Sequence, residues 1–209
     1  MCFSAQASFI AGVGLSIAGI TTLKKNKNKS MQRFATIPLL FGIQQICEGF
    51  VWITQGDASL IIQNELARYA FLFFAFLVWP FWIPFSIYAL ETKEKKKRCL
   101  ASFIGIGTVV ASGLLWALVH LGATSAISCN HIEYIVNLPE TFEPWILFWY
   151  CAATIGPLFV SDKKVIRIFG ILIAVSVIIS GYFYTAYFTS VWCFFAALLS
   201  FYIHKIVRG

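Results

Sequence analysis

Residues 93–122 read KEKKKRCLASFIGIGTVVASGLLWALVHLG. Five basic side chains, Lys93, Lys95, Lys96, Lys97 and Arg98, are followed by a 24-residue run in which His120 is the one titratable side chain besides Cys99. A helix rises 1.5 Å per residue, so about 20 apolar residues cross the hydrocarbon of a bilayer. Backbone N–H and C=O groups in that medium must pair within their own segment, which makes such a run a helix. Basic residues packed against one end mark that end as cytoplasmic.

The same grammar repeats along the chain. Apolar runs fall near residues 4–23, 34–54, 67–90, 99–122, 142–160, 165–182 and 184–204, and none has Lys or Arg at its centre. The 209 residues are 59% hydrophobic and 12% charged, about half the charge of a water-soluble domain. Seven spans and their loops exhaust the chain, which leaves one domain and no soluble appendage. The expected fold is therefore all-α, a seven-transmembrane-helix bundle.

Charge orients it. The first loop holds Lys24, Lys25, Lys27, Lys29 and Arg33, the third the Lys93–Arg98 run, the fifth Lys163, Lys164 and Arg167, and the tail Lys205 and Arg208. Of the 16 basic residues only Arg68 falls on the other side, where Asp57, Glu65, Glu133, Glu140 and Glu143 sit. This asymmetry puts the N-terminus outside and the C-terminus in the cytoplasm, in a multi-pass cell-membrane (inner-membrane) protein. It also accounts for the net charge of +7 as topogenic, so nucleic acid is not an expected partner. The first run lacks a basic stretch before it and does not read as a cleaved leader. Trp52, Trp145, Trp149 and Trp192 fall toward the outer ends of their spans, as an aromatic belt; Trp79 and Trp82 lie deeper and the belt leaves them unexplained. Small residues in the first span (Gly12, Gly14, Ala18, Gly19) and the fourth (Gly105, Gly107, Gly113) read as close-packing positions.

Glu48 is the acidic residue well inside a span, and a carboxyl at that depth is costly enough to mark a functional position. Gln44 precedes it by one helical turn, on the same face, with Gln45 beside it. Arg68, at the outer start of the third span, is the expected counter-ion. Trp52 and Trp192 are expected at the mouth of an outward-facing pocket. A second set of donors falls on the same side: Cys2, His120, Cys129, His131, Glu133 and Cys193. Their chemistry suits Zn²⁺ or another transition metal, and Cys129, His131 and Glu133 alternate as they would along one face of an extended segment. Their spacing matches no standard metal motif. Three functional classes follow: binding of a small molecule or metal ion in an outward pocket, as a sensor or receptor does; transport of a small solute with Glu48 as proton or cation site; and intramembrane catalysis through a metal or Cys2. Transport needs polar residues continuing inward, where the spans offer little beyond Ser86, Thr108 and Ser176. The bilayer is the one certain partner, and a homo-oligomer is compatible with all three.

The opening Met1-Cys2-Phe3-Ser4-Ala5, the stretch Pro38–Gln45 leading to Glu48 and Val51-Trp52, Tyr69 through Phe74 with Trp79-Pro80, His131 before Tyr134, and Ser190-Val191-Trp192-Cys193 together resemble an uncharacterised family of bacterial seven-span membrane proteins. The resemblance covers nearly the whole chain and implies a seven-helix fold, without an activity. Span number and orientation are also similar to those of microbial rhodopsins. A retinal Schiff base needs a lysine midway along the last span, however, where this chain has Ser190 through Ala196, so retinal is excluded.

Overall fold

The computed structural model of the chain describes residues 4–139 and 141–208; Cys2 and Glu140 lie outside them. Among the described residues seven helices are long and apolar enough to cross a membrane: α1 (Ala5–Lys25), α2 (Lys29–Thr54), α3 (Ala58–Leu90), α4 (Glu94–His120), α5 (Glu143–Val160), α6 (Lys164–Phe183) and α7 (Thr185–His204). They run up and down in one bundle. The turns after α1, α3 and α5 share one end, the basic end, and the connections after α2, α4 and α6 share the other. Their limits overrun the expected runs at several ends because polar residues serve as caps and first turns. Ser4 caps α1 by accepting from the Ala7 N–H. Asp57 accepts from the Ser59 N–H at 2.8 Å and opens α3 nine residues before its apolar run. Lys24 and Lys25 fill the last turn of α1, where cations oppose the partial negative charge of the helix terminus.

The bundle buries Leu15, Phe34, Ile37, Phe41, Trp79 and Phe169 among its central side chains. It turns large apolar side chains outward as well: Ile62 is 78% exposed and Val109 72%, with Ile10 and Ile178 similarly bare. Helices α1 and α2 touch backbone to backbone. A Cβ on Gly19 would stand 2.5 Å from the Leu39 nitrogen, and one on Gly42 would stand 2.5 Å from Ser16 Oγ. The glycines of α4 divide. Gly107 lies against the Pro80 carbonyl of α3, whereas Gly105 and Gly113 meet nothing within 4 Å and are not packing positions.

Helix α3 changes register at its middle. Phe73–Val78 forms a π-helical segment, and the Trp79 N–H reaches back five residues to the Phe74 carbonyl. The next bond in that register would run from residue 80 to Ala75, and Pro80 has no N–H to give. The Tyr150 hydroxyl of α5 donates to the Ala75 carbonyl instead. One tyrosine thus fills the gap that proline and the register shift leave in a buried backbone.

At the basic end, Asp162 joins two connections by accepting from Lys93 Nζ at 2.9 Å and Lys96 Nζ at 2.6 Å. These lysines hold the Asp162 carboxyl down at about 2. At the opposite end the α4–α5 connection, a loop by sequence pattern, folds into a hairpin. Strands β1 (Ala123–Ser128) and β2 (His131–Val136) pair antiparallel, Ala123 with Val136 through Ser128 with His131. The two-residue turn is Cys129-Asn130, with φ of 49° and 58°. Positive φ at both positions is the mirror-image turn whose twist matches that of paired strands. It corrects one expectation, since Cys129 belongs to the turn and not to the strand face that carries His131 and Glu133.

Candidate ligand cavity and the buried carboxyl behind it

Glu48 sits on α2, 1% exposed. Ser190 Oγ of α7 donates to its Oε1 at 2.6 Å, and the Ser8 and Gln45 side chains also approach the carboxyl. Gln44 accepts at Oε1 from Trp79 Nε1 at 2.7 Å, and the Trp79 ring stacks on Phe41 with centroids 3.8 Å apart. Trp79 is therefore a structural donor to the α2 polar face, which explains its depth. Trp82 finds a similar use, donating to the Arg33 carbonyl and to Thr36 Oγ1.

Arg68 does not pair with Glu48, contrary to the charge-based expectation. Its Nη1 donates to Asn64 Oδ1, one turn back on α3, at 3.0 Å. Asn64 in turn donates to Thr54 Oγ1 and Gln55 Oε1, each at 3.1 Å. Gln55 then grips the hairpin: its Nε2 donates to the Ser125 carbonyl and its Oε1 accepts from Ser125 Oγ, both at 2.8 Å. Arg68 is thus the far member of a clamp that fastens β1 over the ends of α2 and α3. Below the clamp, Ile132 is fully buried against Val51 and Ala67, with Trp52 packed beside them.

The hairpin roofs a cavity of about 530 Å³. Its walls come from α3, α4, α5, α6, α7 and β2, and most are apolar, including Phe76, Leu114, Ile146, Val177 and Phe188. Polar groups converge at a few points: Tyr134 from the roof, Tyr150 and Thr189 from the walls, Glu143 at the start of α5, and Cys193. Tyr134 is held by stacking on Phe71 at 4.6 Å. Burial pushes its phenol well above its ordinary value, so it serves as a neutral hydroxyl. The Tyr134 hydroxyl and Trp192 Nε1 are buried and have no protein hydrogen-bond partner among the described residues. Beyond Trp192 and Cys193 the space shrinks to a crevice of about 40 Å³ between Phe41, Trp79, Ile83 and Phe169.

Of the residues singled out in the sequence as ligand-binding, Trp192 lines the cavity. Glu48, Gln44 and Gln45 form the layer behind its wall, and Trp52 and Arg68 lie under the hairpin. The metal-type donors are spread out. His120 ends α4 stacked on Trp116, Cys129 is exposed in the turn, His131 stacks on Tyr187 at 4.9 Å, and Cys193 is buried beside Gln44. Among the described residues no three His, Cys, Asp or Glu side chains converge to hold a metal ion. Tyr134, Tyr150 and Thr189 were missed by the sequence reading. None of the three carried a readable signal: Pro80 announces a carbonyl without its helical donor, and only the fold shows that Tyr150 supplies one.

No curated protein and no solved structure matches this sequence. A family model of unknown function, DUF6629, matches residues 1–209, and the chain belongs to that family.

Proposed function

We propose that this chain is a multi-pass membrane protein, N-terminus outside, that binds a small and mostly apolar molecule in the cavity beneath the hairpin, as a receptor or sensor of the outer face. The observation that carries the reading is the cavity itself. Its 530 Å³ fits the size range of small-molecule sites, and an apolar lining with a few convergent polar groups is their usual composition. Thr189 would orient a ligand that carries a carbonyl or hydroxyl, while Tyr134 and Trp192 would contribute ring surface to the wall. The outward apolar side chains favour lipid as the surrounding solvent, since soluble monomers rarely show such continuous apolar surface. The concentration of lysine at the other end favours the stated orientation. The narrowing beyond Trp192 favours a site over a transport passage. The buried Glu48 would act from behind, fixing α7 through Ser190 and so positioning Thr189 and Trp192.

Native mass spectrometry of detergent-released protein tests this. The wild-type chain is expected to carry a small-molecule adduct that mild activation removes. Thr189→Trp, which fills the cavity, is expected to lose at least about nine-tenths of that adduct, a cost of about 1.4 kcal/mol. A wild-type chain that carries none after release from its native membrane would sink the reading.

A further inference from the structure

A second cavity opens at the basic end. It has a volume of about 300 Å³, and its polar lining consists of Lys25, Asn26, Lys27, Asn28, Thr22 and His204. No carboxylate lines it among the described residues. The contrast with the neighbouring lysines is informative. Lys93 and Lys96 share the Asp162 carboxylate, and Lys97 lies 3.6 Å from Glu94. Lys25 and Lys27 make no ion pair within 4 Å among the described residues. Orienting the chain requires only that lysines be present at this end; it does not require two of them to flank a concavity without a counter-charge.

The lining is also held in shape. Asn26 Nδ2 donates to the Asn28 carbonyl and Asn26 Oδ1 accepts from the Asn28 N–H, both at 3.0 Å. This fixes the turn on which Lys27 rides. Thr22 Oγ1 donates to the Ala18 carbonyl at 2.7 Å and lies 2.6 Å from His204 Nδ1. A hydroxyl has one proton, so with that proton on Ala18 it is His204 Nδ1–H that donates to Thr22. The ring is thereby fixed across α1 and α7, at the floor of the cavity.

Position decides the class of ligand. Thr22 and His204 belong to the last turns of α1 and α7, so the cavity lies where apolar side chains give way to basic ones. One turn farther up α7 from His204, Phe201 is exposed, and its ring lies close to Gly14 of α1. A ligand with an anionic head and apolar chains matches both halves of this surface. We propose that the cavity holds the phosphate headgroup of an anionic phospholipid in the cytoplasmic leaflet. This rests on the membrane-spanning reading and is independent of the hairpin-end cavity.

Purified protein in detergent, offered phosphatidylglycerol and phosphatidylcholine of matched chains, tests it by native mass spectrometry. The wild-type chain is expected to retain phosphatidylglycerol over phosphatidylcholine. Lys25→Gln/Lys27→Gln is expected to weaken that retention about 25-fold, about fivefold per lysine, while Lys95→Gln/Arg98→Gln leaves it within about twofold. Lys27→Gln alone, on an exposed turn, serves if the double variant does not fold. Inorganic phosphate is the second probe. Displacement of the lipid by phosphate supports headgroup recognition, whereas phosphate binding without lipid retention overturns the lipid assignment. Equal retention by the two double variants also overturns it, because the attraction is then a diffuse property of the basic end.

Discussion

Gly107→Ala is expected to destabilise the bundle by about 3 kcal/mol or more, the upper range for overpacking a filled interior. A Cβ at residue 107 would stand 1.8 Å from the Pro80 carbonyl oxygen and 2.7 Å from its carbon. Both are backbone atoms, so no rotamer change relieves the clash. The backbone there is also poor in freedom, because Pro80 follows the π-helical segment and Tyr150 anchors that segment through Ala75. Relief requires α3 and α4 to separate, which opens the wall of the hairpin-end cavity at Leu114. The control is internal to the same helix. Gly105→Ala and Gly113→Ala add a methyl where nothing lies within 4 Å, and are expected to be neutral or to gain up to about 1 kcal/mol through helix propensity. Thermal denaturation in detergent reads the difference. Equal midpoints for Gly107→Ala and Gly105→Ala would show that α3 and α4 do not meet at this point.

Tyr150→Phe is expected to cost about 2 kcal/mol although it removes a single oxygen, because it leaves a buried carbonyl without a donor. Tyr150 is buried and its hydroxyl bonds to Ala75. The reason lies with Pro80, so the two residues are coupled. In Pro80→Ala the N–H of residue 80 is restored and can close the bond to Ala75, and Tyr150→Phe is then expected to cost less than about 1 kcal/mol. Stability of the four proteins in a double-mutant cycle measures the coupling. Full additivity contradicts the assignment. The ring of Tyr150 meets Trp192 edge-on at 5.5 Å, so ligand retention in the hairpin-end cavity should fall in Tyr150→Phe only as far as this packing loosens.

These two positions show where sequence reasoning carried and where it stopped. The seven long apolar helices were legible because apolar content and basic punctuation are one-dimensional signals. Gly107 stood out as a small residue on α4, yet it looked no different from Gly105 and Gly113; only the helix facing it separates packing glycine from bare glycine. Glu48 was legible as a costly carboxyl, but its partner was sought among charges. The bundle uses Ser190, 142 positions away and unremarkable in sequence. Arg68 was paired with Glu48 for want of another cation at that end, whereas an i−4 amide already engages it. The hairpin was illegible because its turn is Cys-Asn instead of Asn-Gly, the pair that usually announces such a turn. The cavity draws its walls from six elements, so no local pattern encodes it; Trp192 was reached through belt position and proved to line it.

The reading as a whole depends on a cavity that opens to the outside. The most direct measurement is the reaction of a cysteine at position 189, in a chain whose six native cysteines are replaced, with a membrane-impermeant maleimide on intact cells. A cysteine at Lys95 serves as the cytoplasmic reference. Modification of residue 189 on intact cells, with residue 95 reacting only after the membrane is opened, is the predicted result. Protection of residue 189 until the membrane is opened, or reaction of residue 95 on intact cells, would contradict it.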